Sequence, residues 1–89
     1  MYKIEGKLKS KSETKQVSEK FKVMDIILVT LDEKYPQEIK LQVANDKINQ
    51  FDFIAINEPI EVTFDIRGRE FKGNHYNTIN VLNCESKLF

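Results

Sequence analysis

Residues 38–54 read EIKLQVANDKINQFDFI, and the spacing of their apolar side chains changes halfway along. Through Ala44 apolar and polar residues alternate, which puts Ile39, Leu41 and Val43 on one side of a strand. From Asn45 onward Ile48, Phe51 and Ile54 recur at helical spacing, with Asn45 or Asp46 placed as the N-cap of a short helix. A strand that gives way directly to a short helix narrows the folds open to a small chain, and the flanks narrow them further.

Upstream, YKIEGKLKSK (2–11) alternates, with Tyr2, Ile4, Gly6 and Leu8 on one side and a lysine-rich row on the other. SETKQVSEK (12–20) is polar and reads as a loop. FKVMDIILVTL (21–31) is a longer strand. Phe21, Val23, Ile27, Val29 and Leu31 share one side and Lys22, Met24, Ile26 and Leu28 the other, so both faces are partly covered. DEKYPQE (32–38) is a turn in which Pro36 holds Tyr35 extended. Downstream, IEVTFDIRGREF (60–71) directs Ile60, Val62, Phe64 and Ile66 inward, KGNH (72–75) turns, and YNTINVLNCE (76–85) is a last strand. Gly68 interrupts the alternation and marks a bulge or a close backbone approach in a sharply coiled strand, which would aim Arg67 and Arg69 differently.

Three strands, a helix and two strands are the order of an all-β, five-stranded Greek-key barrel, the OB-fold, with its helix between strands three and four. Closure would remove the exposed edges that so short a chain could not otherwise cover. The 89 residues make a single domain, 1–89. A chain this short buries roughly 60% of its unfolded surface, so its core is thin and a homodimer or homotetramer is expected.

Charge balances at 14 basic and 14 acidic residues, but unevenly along the chain. Residues 1–23 hold seven Lys against three Glu, a net +4; residues 24–63 hold three Lys against eight acids, a net −5; the remainder is +1. A polyanion should therefore meet the two ends of the sequence. Cys84, the lone cysteine, excludes an internal disulfide and suits a reducing cytoplasm. The longest apolar run, 26–31, is far short of a membrane span, so no membrane partner is expected.

Little suggests catalysis. His75 has no second histidine or carboxylate at ligand spacing, Cys84 reads as a small core residue, and no phosphate loop or nucleophile elbow is present. A non-enzymatic protein without metal or cofactor is expected. Single-stranded nucleic acid is held differently, by cations along the phosphates and rings under the bases. In the OB plan the groove lies on the exposed face of strands two and three, between the first hairpin loop and the loop joining strands four and five. Lys20, Phe21 and Lys22 open strand two, and Arg67, Arg69, Phe71, Lys72 and Tyr76 surround the last hairpin together with His75. Arg can grip phosphate bidentately or stack on a base. Each residue has a plainer alternative: Phe21 and Phe71 as core or interface, Arg67 and Arg69 paired with Asp65 or Glu70, the strand-one lysines as a solvated face, Tyr35 packing its turn.

The segments EKYPQEIKLQV, FDFIAINEPIEVTFDIRGREF and HYNTINV together resemble a bacterial and bacteriophage family of small domains of unknown function. The likeness runs from about Phe21 to Glu85 and is most specific at the KYPQ turn (34–37) and the IRGRE strand (66–70). It implies a fold similar to the OB-fold of single-stranded-DNA-binding proteins and points to Arg67, Gly68, Arg69, Glu70, Tyr76 and Asn77. The sequence departs from the family at Asn57, where glycine is usual and a left-handed turn is expected. It departs again at Leu82 and Asn83, which replace an aromatic and a basic residue and so remove one stacking platform and one phosphate contact. The expected activity is sequence-tolerant binding of single-stranded DNA, or RNA. The rival is an OB-fold interaction module that docks a replication or phage-assembly partner through the acidic middle, at Asp32, Glu33, Glu38, Asp46 and Asp52.

Overall fold

The structure, a computed structural model, describes residues 1–87. It contains β1 (Tyr2–Lys11), β2 (Lys15–Ser18), β3 (Phe21–Thr30), β4 (Glu38–Ala44), a 3-10 helix (Asn45–Phe53), β5 (Pro59–Phe71) and β6 (Asn74–Ser86). The sheet runs β1-β5-β6-β4-β3-β2, and β1 also pairs with β3. That extra pairing closes a ring of the five expected strands, including one parallel contact, Gln42 of β4 beside Asn80 of β6. The architecture is that of an OB-fold barrel with an additional strand outside it.

The addition is β2, which the sequence reads as loop. All four of its residues are exposed, so it has no buried face and leaves no periodic signal. It is an edge ribbon folded back on β3, with Lys15 opposite Val23 and Gln16 opposite Lys22. Lys20 therefore sits at the tip of a β2–β3 hairpin rather than at the end of an irregular loop.

β1 is consumed by closure. Tyr2 to Lys7 pair with β5, and Gly6 to Lys11 pair with β3, so both neighbours meet at Gly6 and Lys7. A methyl group there would collide with the Val29 carbonyl and lie 2.9 Å from Leu28 Cγ. Of the two faces of β3, the even one wins the core: Met24, Ile26 and Leu28 are buried, whereas Val23, Ile27 and Val29 are half-buried and Phe21 and Leu31 are exposed. Leu8, Leu41, Val43, Ile60 and Val62 complete the wall.

The helix plugs one end. Its apolar residues repeat every three positions, which suits three residues per turn, and Ile48, Phe51 and Ile54 are all buried. Neither Asn45 nor Asp46 caps it: the N-cap is Ala44, without a side-chain bond. Asn45 instead turns the chain at φ 52°, and its Oδ1 accepts a hydrogen bond from the Lys22 amide at 3.1 Å. At the other end Lys11 Nζ donates to the carbonyls of Phe51 (2.9 Å), which also accepts the Ile54 amide, and of Ile54 (3.2 Å).

β5 and β6 are longer than the ring requires, and their hairpin projects beyond it along a molecule 43 Å in its longest extent and 22 Å in its shortest. Ile66, expected inward, is consequently 56% exposed, because the core ends at half-buried Phe64. Gly68 is not a bulge. The ladder runs evenly through Arg67↔Thr78, Gly68↔Asn77 and Arg69↔Tyr76, so the two arginines share one face after all. The irregularity lies at Leu82, which has no partner between Thr63↔Asn83 and Phe64↔Val81. Gly68 answers the second half of the expectation, since a Cβ would lie 3.0 Å from Asn77 Oδ1. Asn57 adopts the left-handed turn at φ 72°, and Lys72 and Gly73, at φ 52° and 81°, form a two-residue type I′ turn at the hairpin tip.

The closure point is directly testable. Gly6→Ala forces a methyl against backbone that cannot rotate away, an overpacking worth about 1–3 kcal/mol. Thermal unfolding should show a melting temperature lowered by at least about 4 °C. An unchanged midpoint would mean that β1 does not approach β3 so closely.

Candidate nucleic-acid interface

Alternation along β4 buries Leu41 and Val43 and leaves Lys40 and Gln42 outside. Gln42 lies where β4 meets β6, and past that point the hairpin stands beside the outer face of β3 and β4. Alternation on β5 brings Arg67, Arg69 and Phe71 to one hairpin face, and the register adds Thr78, Tyr76 and Asn74 across from them. Glu70 and His75 take the opposite face.

Phe21, Gln42, Arg67, Arg69, Tyr76, Thr78 and Asn80 line a recess of about 250 Å³. A second recess of about 350 Å³ shares Phe21, Gln42, Arg67 and Asn80 with it and adds Asp46 and Lys47. A third, about 390 Å³, shares Asn45 and Asp46 with the second and is walled by Lys20 and Lys22. At the other end a fourth, about 480 Å³, shares Gln42 and Thr78 and extends to Lys40 and Asp25. The four form one trough, and Gln42 borders three of them.

The trough is more basic than the molecule. Six cations line it (Lys20, Lys22, Lys40, Lys47, Arg67, Arg69) against three acids (Glu19, Asp25, Asp46), on a chain of zero net charge. Among the described residues none of these six forms an ion pair. The internal cluster that could have absorbed the arginines does not form: Asp65 faces the Met1 amine at 3.5 Å, and Glu70 is on the other face. Arg69 instead lies over the Tyr76 ring, 6.0 Å from its centroid, at the outer limit of cation–π range.

Of the residues singled out in the sequence, Phe21, Arg67, Arg69 and Tyr76 converge on one recess, and Lys20 and Lys22 line another that the second recess links to it. Phe71 and Lys72 do not join them. They sit at the hairpin tip, with the Lys72 amine 5.4 Å from the Phe71 ring, although Phe71 shares the arginine face and is 56% exposed. The strand-one lysines lie elsewhere, Lys9 on Glu38 at 2.7 Å, Lys3 near Glu61 at 4.0 Å and Lys11 on the helix end. Tyr35 does not pack its turn; it is 73% exposed, and Asp32 Oδ1 holds the loop by accepting the Lys34 and Tyr35 amides. Lys40, Gln42, Lys47, Thr78 and Asn80 also line the trough, although nothing in the sequence had marked them as site residues. Lys40 and Gln42 were legible as outward positions of the alternating third strand, the wall that the OB plan assigns to the groove.

Cys84 packs half-buried against the core, and its backbone amide donates to Gln50 Oε1 at 3.0 Å. Burial, with Glu58 and Glu85 nearby, pushes its thiol from 9.0 up to about 11. Among the described residues there is no cluster of three metal-ligating side chains, and no helix is long and apolar enough to cross a membrane.

Comparison with known families supplies the identity that this geometry leaves open. A family described as a domain of unknown function (DUF3127) matches residues 3–85. The chain belongs to it. Comparison with curated protein sequences finds no match. Among solved structures, the chain is similar to the dimeric N-terminal domain of PriB protein from Thermoanaerobacter tencongensis. The two share 10% identity and a TM-score of 0.75, over 99% of this chain and 96% of that one. It is also similar to a small single-stranded DNA-binding protein from Streptomyces coelicolor, at 9% identity and a TM-score of 0.53, over 98% and 93% of the two chains. At such identities the likeness establishes the shared fold of this DUF3127 domain.

The thiol gives a test of the packing behind the trough. The reactive form is the thiolate, and a pKa of about 11 keeps it scarce at pH 8. Iodoacetamide at pH 8 should alkylate Cys84 at least about tenfold more slowly in the folded protein than in urea. Between pH 9 and pH 11 the unfolded chain loses this proton and the folded one keeps it, so stability should decline as pH rises through that window. Equal alkylation rates would contradict the buried placement.

Proposed function

We propose that this DUF3127 domain binds single-stranded nucleic acid, DNA foremost, with little sequence preference and without catalysis. The observation that carries the reading is the trough: six unpaired cations and two accessible rings gathered on a chain with no net charge. Arg67, Arg69, Lys20, Lys22 and Lys47 would take phosphates, and Phe21 and Tyr76 would stack under bases at about 1–3 kcal/mol each. Phe71 and Lys72 would extend the contact along the hairpin.

The fold shared with a named single-stranded DNA-binding protein supports the reading. The PriB domain is dimeric, and a second copy here would join two weak troughs into one stronger binder. The acidic interaction-module reading loses ground at two of its residues. Glu38 is engaged by Lys9, and Asp46 borders the trough itself.

Fluorescence anisotropy with a labelled oligodeoxynucleotide tests the proposal. Contact with three to four phosphates gives a slope of log K against log salt of about −2 to −3. Arg67→Ala with Arg69→Ala should make that slope shallower by about 1.4 and weaken binding at least tenfold. Because both side chains are exposed and unpaired, unfolding free energy should stay within about 0.5 kcal/mol. Absence of binding, or a flat salt dependence, would favour docking to a protein partner instead.

A further inference from the structure

Cations are spread along the trough, but where three of its recesses overlap, at Gln42, the floor is uncharged and Arg67 stands on the wall beside it. Gln42 and Asn80 lie beside one another there, at the single β4–β6 pairing that completes the barrel. Four carboxamide side chains of the protein are half-buried: Gln42, Asn45, Gln50 and Asn80. Two are committed, since Asn45 Oδ1 accepts the Lys22 amide and Gln50 Oε1 accepts the Cys84 amide. Among the described residues the side chains of Gln42 and Asn80 have no hydrogen-bond partner, and both border the recess that holds the Phe21 ring. Their amide atoms remain open to solvent and unengaged by the protein, so they are free to bond with what enters the recess.

We propose, building on the nucleic-acid reading above, that Gln42 and Asn80 form a pocket for one unpaired nucleobase, held by its Watson–Crick edge beside Phe21. A carboxamide presents a donor and an acceptor side by side. Every base carries an adjacent donor and acceptor on that edge, and a free amide can turn over to match either order. Such a pair discriminates little among the four bases. It rejects any base whose edge is already occupied in a duplex. The pocket thus accounts for selection of single strands over double strands, which the cations alone cannot provide because both forms carry phosphate.

Two probes separate edge recognition from stacking and from phosphate contact: a short oligothymidylate, and the same strand in which each base is difluorotoluene, a thymine-shaped ring without a hydrogen-bonding edge. The intact protein should bind thymine roughly tenfold more tightly, the worth of two hydrogen bonds. Gln42→Met with Asn80→Leu should lose about that factor on thymine and bind the two strands alike, with an unchanged salt slope because no charge is altered. Should the double variant melt early, Gln42→Met alone carries the same comparison. Equal binding of both strands by the intact protein overturns the pocket and leaves the phosphate reading standing. A folded variant that still prefers thymine also overturns it. Failure to bind either strand removes the nucleic-acid reading and the pocket together.

Discussion

A barrel of five strands must close at a definite length, and β5 and β6 are longer than that length. β1 closes the ring by giving its first half to β5 and its second half to β3; Gly6 and Lys7 pair with both, and at Gly6 β3 comes so close that a Cβ would collide with the Val29 carbonyl. The 13-residue β5 and β6 pair with each other well past the last strand they share with the ring. Their surplus becomes a free-standing hairpin, and the hairpin makes the trough. Had they ended near Phe64, Arg67, Arg69 and Tyr76 would not exist as a wall, and the outer face of β4 would be flat.

The overshoot also explains the chemistry of the hairpin. Within the barrel, each strand has one face in the core and cannot hold charge there at acceptable cost. Beyond it, neither face is buried, so alternation ceases to sort apolar from polar residues. One side then carries Arg67, Arg69 and Tyr76, while Ile66 remains on the other side without a core to enter. Because Asp65 meets the N-terminus and Glu70 faces away, the guanidinium groups have no carboxylate partner among the described residues. Their charge is directed outward across Gln42 toward Lys20 and Lys22 on the β2–β3 hairpin.

Much of this was legible in the sequence, because period and turn chemistry act locally. The switch from alternation to three-residue spacing at Asn45 located the helix, the left-handed preference of Asn57 located its turn, and the five ring strands follow from their patterns. What escaped is what period cannot encode. β2 has no buried face to write an alternation. β3 is apolar on both sides, so the choice of Met24, Ile26 and Leu28 for the core is made by closure. Ile66 has an inward phase but no interior at its height, and Gly68 resembles a bulge although the extra residue is Leu82 on the partner strand. Among site residues, Phe21, Arg67, Arg69 and Tyr76 were visible as unusual types. Gln42 was legible only as an outward position of its strand, and Thr78 and Asn80 were not, because ordinary polar residues become a floor only when β4 and β6 are brought side by side.

The central claim is that ligand contact is confined to the face where the hairpin overhangs β3 and β4. Titration of nitrogen-15-labelled protein with a short single strand, followed through backbone amide shifts, tests it most directly. The account predicts perturbations clustered at Phe21, Gln42, Arg67, Tyr76 and Asn80, with the outer face of β1 at Lys3 and Lys9 unmoved. Shifts centred on β1, or saturation without any shift along Arg67 to Asn80, would contradict it.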